Sequence, residues 1–308
     1  MLSVAIWGAA GYMGAPFSRA LLKAHRQGLL RFIILHRPES DLGRYPADIE
    51  KRCISLDDGE VSAAVRDLQV VISAVSWRAH DSQYRLIDAL KGSEQLITFF
   101  PSEYATPHRA EDLTSPHFAD SREKEKVREY CATHGVPYTV LANATVPEIL
   151  FNFGDSSSFN PRKNKLELYW PLGDGTRGLT SKEFSGQALV YLLLHRLADL
   201  PNRSFSLVEI SFGARDLITL FTKLHDGQEP TIVKYTEEDY QRDLQRDFFG
   251  ALGAASKKGM AVGAKWPGEM VSKFPGWQER ILEDYVKECM TMEPLTFDTF
   301  NSADLSKD

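Results

Sequence analysis

The stretch LSVAIWGAAGYMGAPFSRALLKAH, residues 2–25, decides the fold. Leu2–Trp7 is a short apolar run of β-formers and predicts a strand. Gly8, Gly11 and Gly14 follow at G-x-x-G-x-x-G spacing. From about Met13 to His25, Phe17, Ala20, Leu21 and Ala24 recur at helical spacing, with Gly28 as the stop. In a strand–turn–helix context, such glycines let the backbone turn tightly and approach a pyrophosphate. The helix N-terminus then offers N–H groups and a partial positive charge to the phosphates. A glycine-rich turn in some other α/β domain is the plain alternative; the context favours dinucleotide binding.

Outward from this unit the pattern repeats. Strands are predicted at 31–36, 53–56, 70–75, 95–100 and 137–141, and helical stretches at 61–68, 83–90 and Ala119–Thr133, the last ended by Gly135. The strands are apolar throughout, as expected when both faces are covered. Residues 1–142 therefore predict an α/β, doubly wound, mostly parallel sheet. Beyond 150 the alternation weakens: strands at 166–170 and Thr231–Tyr235, and helices at 182–197, at 216–224 and from Glu237. The stretch 250–276, rich in Gly, Lys and Ala, is expected to be irregular.

Composition bounds the function classes. The chain has 308 residues, 43% hydrophobic and 25% charged, with a net charge of −6. That is an ordinary globular balance, with no electrostatic footprint for nucleic acid or an anionic membrane. Cys53, Cys131 and Cys289 form no C-x-x-C or Cys/His cluster. Three reduced thiols and no metal site are expected. Residues 1–18 carry no charged side chain, but a basic leader segment is missing and Gly8, Gly11, Gly14 and Pro16 interrupt the apolar run. No signal peptide or membrane span is expected, and the expected location is cytoplasmic.

The tip of the second strand selects the cofactor. It reads His36-Arg37-Pro38, with no carboxylate for a ribose 2′-hydroxyl. An arginine pairs with a 2′-phosphate through two charge-assisted hydrogen bonds, which favours NADP(H). Glu39 and Asp41 keep NAD(H) as the less favoured option, and an ordinary solvated arginine is the plain reading of Arg37. Ser73-Ala74-Val75 and Phe100-Pro101-Ser102 end the fourth and fifth strands, where ligands bind in such sheets. None of the eleven tyrosines has a lysine four residues on, so the Tyr-x-x-x-Lys proton donor of many short-chain enzymes is absent. The helix run Arg122–Arg128 reads as a solvated face of mixed charge. Lys124, one turn before Val127 and Arg128, has an inward-facing reading in which a nearby nicotinamide would depress its pKa.

The order GAAGYMG, HRP, VVISAVS, TFFPSEY and KEKVREYCATHGVPYTVL resembles the NmrA-like group of atypical short-chain dehydrogenases, within it the isoflavone reductase and phenylcoumaran benzylic ether reductase-like branch. The resemblance covers residues 3–150 and continues faintly through GDGTRGLTSKEFSGQALVYLL. It implies a Rossmann-type domain over 1–150, re-entered around 180–200. A smaller α/β substrate-binding domain would span 151–180 and 200–308. It further implies that Gly8, Gly11, Tyr12, Met13 and Gly14 line the pyrophosphate and that Arg37 holds the 2′-phosphate. Ser73, Ala74 and Val75 would flank the adenine-side ribose and diphosphate, with Phe100, Pro101 and Ser102 along the nicotinamide half. Lys124 matches the branch's active-site lysine, a general acid or base that also contacts the nicotinamide ribose. This chain has Arg128-Glu129 in place of a double arginine, Pro101-Ser-Glu-Tyr-Ala105 in place of PSEFG, and its own Leu141-Ala-Asn-Ala-Thr145. These departures bear on substrate class more than on the cofactor.

Two function classes follow. One is an NADPH-dependent reductase that passes hydride to C=O, C=N, an activated C=C or a benzylic ether carbon, with Lys124 moving the proton. The other is a non-catalytic dinucleotide sensor acting through a protein partner. Expected partners are a small-molecule, aromatic or secondary-metabolite-type substrate, with no nucleic acid and no membrane, in a monomer or homodimer.

Overall fold

The computed structural model describes residues 1–55, 61–76, 79–152 and 158–295. Strand β1 (Leu2–Trp7) runs into the glycine turn and helix α1 (Gly14–Arg26). Lys23, His25 and Arg26 sit in the last turn of α1, where cations oppose the helix dipole. The helix closes with Gly28 N–H bonding His25 O at 2.8 Å and Leu29 N–H bonding Ala24 O at 3.1 Å, a Schellman pair. Then come β2 (Leu30–His36), β3 (Glu50–Cys53), α2 (Val61–Val65), β4 (Val70–Ser73), α3 (Ser82–Leu90), β5 (Thr98–Phe100), α4 (Ala119–Thr133) and β6 (Thr139–Asn143). The third strand thus ends at Cys53, where the sequence pattern predicted its start. The remaining paired backbone lies upstream, among the charged residues Glu50, Lys51 and Arg52 of this edge strand. Leu56 of the predicted strand lies outside the described residues.

The first five strands are all parallel, in the order β3-β2-β1-β4-β5. A parallel bridge from Phe99 to Tyr138 and the bond Phe99 N–H to Pro137 O, 2.8 Å, carry the order on to β6. The crossovers reverse between β1 and β4. At such a switch point a crevice opens outside the carboxyl ends of the strands. The sheet is buried on both faces. One face packs Val4, Ile6, Phe17 and Ile72; the other packs Ala5, Ile33, Val71 and Val127.

The second half begins with α5 (Pro147–Phe151), β7 (Phe159–Asn160), β8 (Lys165–Tyr169), β9 (Arg177–Leu179) and α6 (Lys182–His195). Ser181 caps α6, accepting from Phe184 N–H at 3.1 Å. The helix lies against α1 and places Phe184, Leu189 and Leu192 in the sheet core. Next are β10 (Arg203–Leu207), β11 (Ile210–Phe212), α7 (Ala214–Leu224), β12 (Thr231–Tyr235), α8 (Glu237–Arg246), α9 (Phe248–Val262), β13 (Glu269–Val271) and α10 (Leu282–Thr291). Strands β10 and β13, from the stretch 200–308, pair in parallel beside β6 and extend the main sheet. The other elements of this half gather around the sheet β12-β8-β7 and the antiparallel pair β9–β11. Residues 153–157 and 296–308 lie outside the described residues.

One expectation fails outright. Residues 248–262 are not irregular but form the 15-residue helix α9. Asp247 caps it, accepting from Gly250 N–H at 2.7 Å. Its Ala251, Ala254, Ala255 and Gly259 are buried. Its glycines weaken a helix in isolation, but small side chains let it lie close to a neighbour, and tertiary burial overrides the propensity.

Candidate functional site

The site starts at the switch point. Gly8 sits at φ +90°, and a Cβ there would lie 2.4 Å from the Ala74 carbonyl oxygen at the end of β4. A Cβ on Gly14 would lie 1.9 Å from the Gly8 carbonyl oxygen. No side chain but hydrogen therefore fits either position. Gly11 N–H bonds Gly8 O at 3.0 Å, and the Ser18 hydroxyl bonds Ala9 O at 3.1 Å, which pins the turn to α1. Met13, the N-cap of α1, supplies no side-chain hydrogen bond to the first turn.

Arg37 stands at the tip of β2, with its guanidinium 6.0 Å from the ring centroid of Trp7, the last residue of β1. Its side chain is 45% exposed and its ion pair with Glu39 is loose, at 3.8 Å. Ser73 is fully buried, and its hydroxyl has no hydrogen-bond partner among the described residues. The fold thus brings the glycine turn, Arg37 and Ser73-Ala74-Val75 to adjoining strand ends. Two other predicted residues have internal employment. The ring of Phe100 is fully buried in the core with Phe17 and Ile72, not turned towards a ligand. The Ser102 hydroxyl bonds Val75 O and its N–H bonds the Gln83 side chain, both at 2.8 Å. Ser102, next to buried Pro101, ties the fifth strand's loop to the fourth.

A cleft of about 600 Å³ opens in front of the turn. Tyr12 and Met13 form its near wall. Its other walls come from residues 104–112, residues 143–146, Arg177 of β9 and the inner face of α9. A second cavity of about 510 Å³ shares the segment 105–108 with the first. Lys124 lines this second cavity with Glu103 and Arg128, and is not among the residues lining the cleft. Glu103 is buried and ion-paired to Arg128. Burial pushes its carboxyl above the ordinary range, while Arg128 and Lys124 pull it back.

Sequence reasoning missed His108, which lines both cavities. Its ring stacks on Phe118 with centroids 3.9 Å apart. Burial drives its pKa down to about 4. The charges of Lys124, Arg177 and Arg109 assist, and Asp112 opposes. At neutral pH the imidazole is uncharged, able to accept at one nitrogen and donate at the other. The missed signal was positional: His108 follows the fifth strand's end, where loops carry ligand-binding groups.

Arg177, also missed, is 5% exposed. Its Nη1 donates to Ser256 O at 3.1 Å and its Nη2 to Thr145 Oγ1 at 2.6 Å. Arg109 instead forks onto Asp112 at 2.7 and 3.0 Å, and Asp112 also accepts from the Tyr240 hydroxyl at 2.7 Å. No local pattern marks Arg177, because its partners lie 32 and 79 residues away. Among the described residues no group of His, Cys, Asp or Glu is arranged to hold a metal. No helix there is long and apolar enough to cross a membrane.

A parallel sheet with its glycine turn at the switch point defines a dinucleotide-binding α/β protein of the Rossmann type. More particularly, the chain belongs to the NmrA-like family, whose model matches residues 2–179. It is 28% identical over 194 residues to an isoflavone reductase of Pisum sativum, a match covering 60% of this chain and 58% of that protein. It is 31% identical over 123 residues to a phenylcoumaran benzylic ether reductase of Pinus taeda, covering 39% of each. These matches span less than two thirds of the relatives' lengths. Among solved structures, the leucoanthocyanidin reductase–NADPH binary complex from Vitis vinifera aligns with a TM-score of 0.72 at 19% identity, over 94% of this chain and 100% of that one.

Proposed function

We propose that the protein is an NADP(H)-dependent reductase of a small, aromatic or secondary-metabolite-type substrate. The observation that carries this reading is the cleft itself: Tyr12 and Met13 of the glycine turn form one wall and the uncharged His108 stands on another. The relatives' names, reductases of isoflavones and benzylic ethers, support the same class. The residues fit the cofactor. The first turn of α1 lacks a side-chain cap at Met13, Arg37 is held only loosely by Glu39, and the buried Ser73 hydroxyl lacks a partner among the described residues.

In this reading Gly8, Gly11, Tyr12, Met13 and Gly14 receive the pyrophosphate, and Arg37 forks onto the 2′-phosphate. Ser73, Ala74 and Val75 flank the ribose and diphosphate, while Pro101 and Ser102 hold the loop that borders the nicotinamide. When bound, the cofactor supplies a hydride from its nicotinamide. The chain supplies orientation and the proton. His108 presents that proton to the cleft. Lys124, whose charge acts on His108 from the second cavity, exchanges it with His108.

The placement of Lys124 off the cleft is the one observation that favours the sensor reading. The deciding experiment titrates NADPH and NADH into the protein, then follows NADPH consumption against aromatic enones, cyclic imines and benzylic ethers. Tight NADPH binding with consumption of a panel member supports the reductase. Tight binding with no consumption supports the sensor.

A further inference from the structure

Arg177 is a buried cation without a countercharge. Among the described residues no carboxylate pairs with it, and its Nε–H has no hydrogen-bond partner. Its two contacts are a neutral carbonyl and a neutral hydroxyl, and Thr145 is itself bonded to Thr106 at 2.8 Å. The nearby acid, Asp112, is already committed to Arg109 and Tyr240. Arg109 adds a second positive charge, and its Nη1 is likewise buried without a partner. Burial and the Arg109 charge together hold the Arg177 pKa down to about 10, so it remains charged at neutral pH. A buried guanidinium in this state is costly unless an anion joins it.

The position says which molecule brings the anion. Thr145 follows β6, and in the order β1-β4-β5-β6 that strand lies three places from the glycine turn, roughly 14 Å along the sheet edge. Arg177 therefore stands at the substrate end of the cleft. Beside its polar groups the same cleft has an apolar lining that includes Val146, Ile149, Leu252 and Ala255, and α9 offers Gly259 with no side chain over the guanidinium. A planar guanidinium fork matches a carboxylate. We propose that Arg177 anchors a carboxylate carried by an otherwise apolar, aromatic substrate. This rests on the reading of the cleft as the substrate end of an NADP(H) site.

The test is calorimetric titration of the full chain, with and without saturating NADP+. The probes are cinnamate, phenylacetate and benzoate, each paired with its methyl ester, and inorganic phosphate. At least one acid is expected to bind tenfold or more tightly than its ester, about 1.4 kcal/mol. Arg177→Gln is expected to erase that preference, Arg177→Lys to retain part of it, and both to keep the NADP+ Kd within twofold. Absence of an acid preference in every pair overturns the proposal. Equal loss of acid and NADP+ binding in Arg177→Gln, with phosphate competing against both, also overturns it and assigns the charge to the dinucleotide. The acid–ester comparison needs no variant, so it decides even where Arg177→Gln fails to fold. Failure of NADP+ to bind breaks the reductase reading instead, and the nucleotide-free comparison then stands by itself.

Discussion

The two walls of the cleft are built by different means. The near wall rests on backbone: Tyr12 and Met13 sit in a turn of three glycines pressed against the end of β4, with contacts between atoms a few residues apart or on the adjacent strand. The far wall is side chain: His108, Arg109, Asp112 and Arg177 come from segments separated by up to about seventy residues and are held by Thr145, Tyr240 and Ser256. The near wall suits a ligand part common to many proteins, a pyrophosphate. The far wall suits a ligand particular to this one. A change in the near wall should therefore damage fold and cofactor binding together, and one in the far wall should damage turnover or selectivity alone.

The harshest test of the contrast is Gly14→Ala. The added methyl meets the Gly8 carbonyl at 1.9 Å, and the turn must open. The expected cost is ~3 kcal/mol of stability, read as a Tm drop of ~6 °C, with NADPH affinity down about 100-fold. A variant with unchanged Tm and affinity would show that the turn is not a rigid cradle.

Next in size are Lys124→Ala and His108→Phe, the latter keeping the stack on Phe118. Each is expected to lower kcat about 100-fold or more, the usual scale for a lost general acid or base. The NADPH Kd should stay within about tenfold. Loss of turnover in the His108 variant alone would remove Lys124 from the proton path.

The third test is a pH profile. The imidazole of His108 has its pKa near 4 in the folded protein, below the ordinary 6.5. As pH falls from 6.5 towards 4, the unfolded chain takes up a proton that the folded chain refuses, so stability falls over that window. The effect is absent above about pH 7. His108→Phe should remove about 2 to 3 kcal/mol of this acid-side loss, measured by urea unfolding at pH 7 and 4.5. Parallel acid limbs in the two proteins would mean that His108 is not held neutral by burial.

The mildest effect belongs to the arginine at the tip of β2, beside the glycine turn. Arg37→Ala should weaken NADPH about 30-fold, ~2 kcal/mol, through loss of charge-assisted bonds. NADH binding should stay within twofold. Equal loss of both dinucleotides would strip Arg37 of its 2′-phosphate role.

Legibility followed the same division. The strand, glycine turn, helix and arginine at the second strand's tip were readable because each is a local pattern of apolar period and backbone freedom. Phe100 shows the limit of a motif. Its position at a strand end was correct, but whether its ring met ligand or core depended on α1 and on Phe17 beneath the sheet. Helix α9 shows the limit of propensity. Its glycines and alanines read as irregular chain, and the neighbours that reward close approach, α8 and β8, were not visible from within the segment.

What residues 1–143 decide locally, then, is the parallel sheet and the glycine turn at its switch point, because alternating apolar runs and glycines act through their nearest neighbours in the chain. Tertiary structure alone decided that Lys124 lies in a cavity adjoining the cleft, that His108 is half-buried and uncharged where the two cavities meet, and that Arg177 has no carboxylate partner among the described residues. Those properties are set by desolvation and by charges from distant segments, and neither exists until the chain has packed.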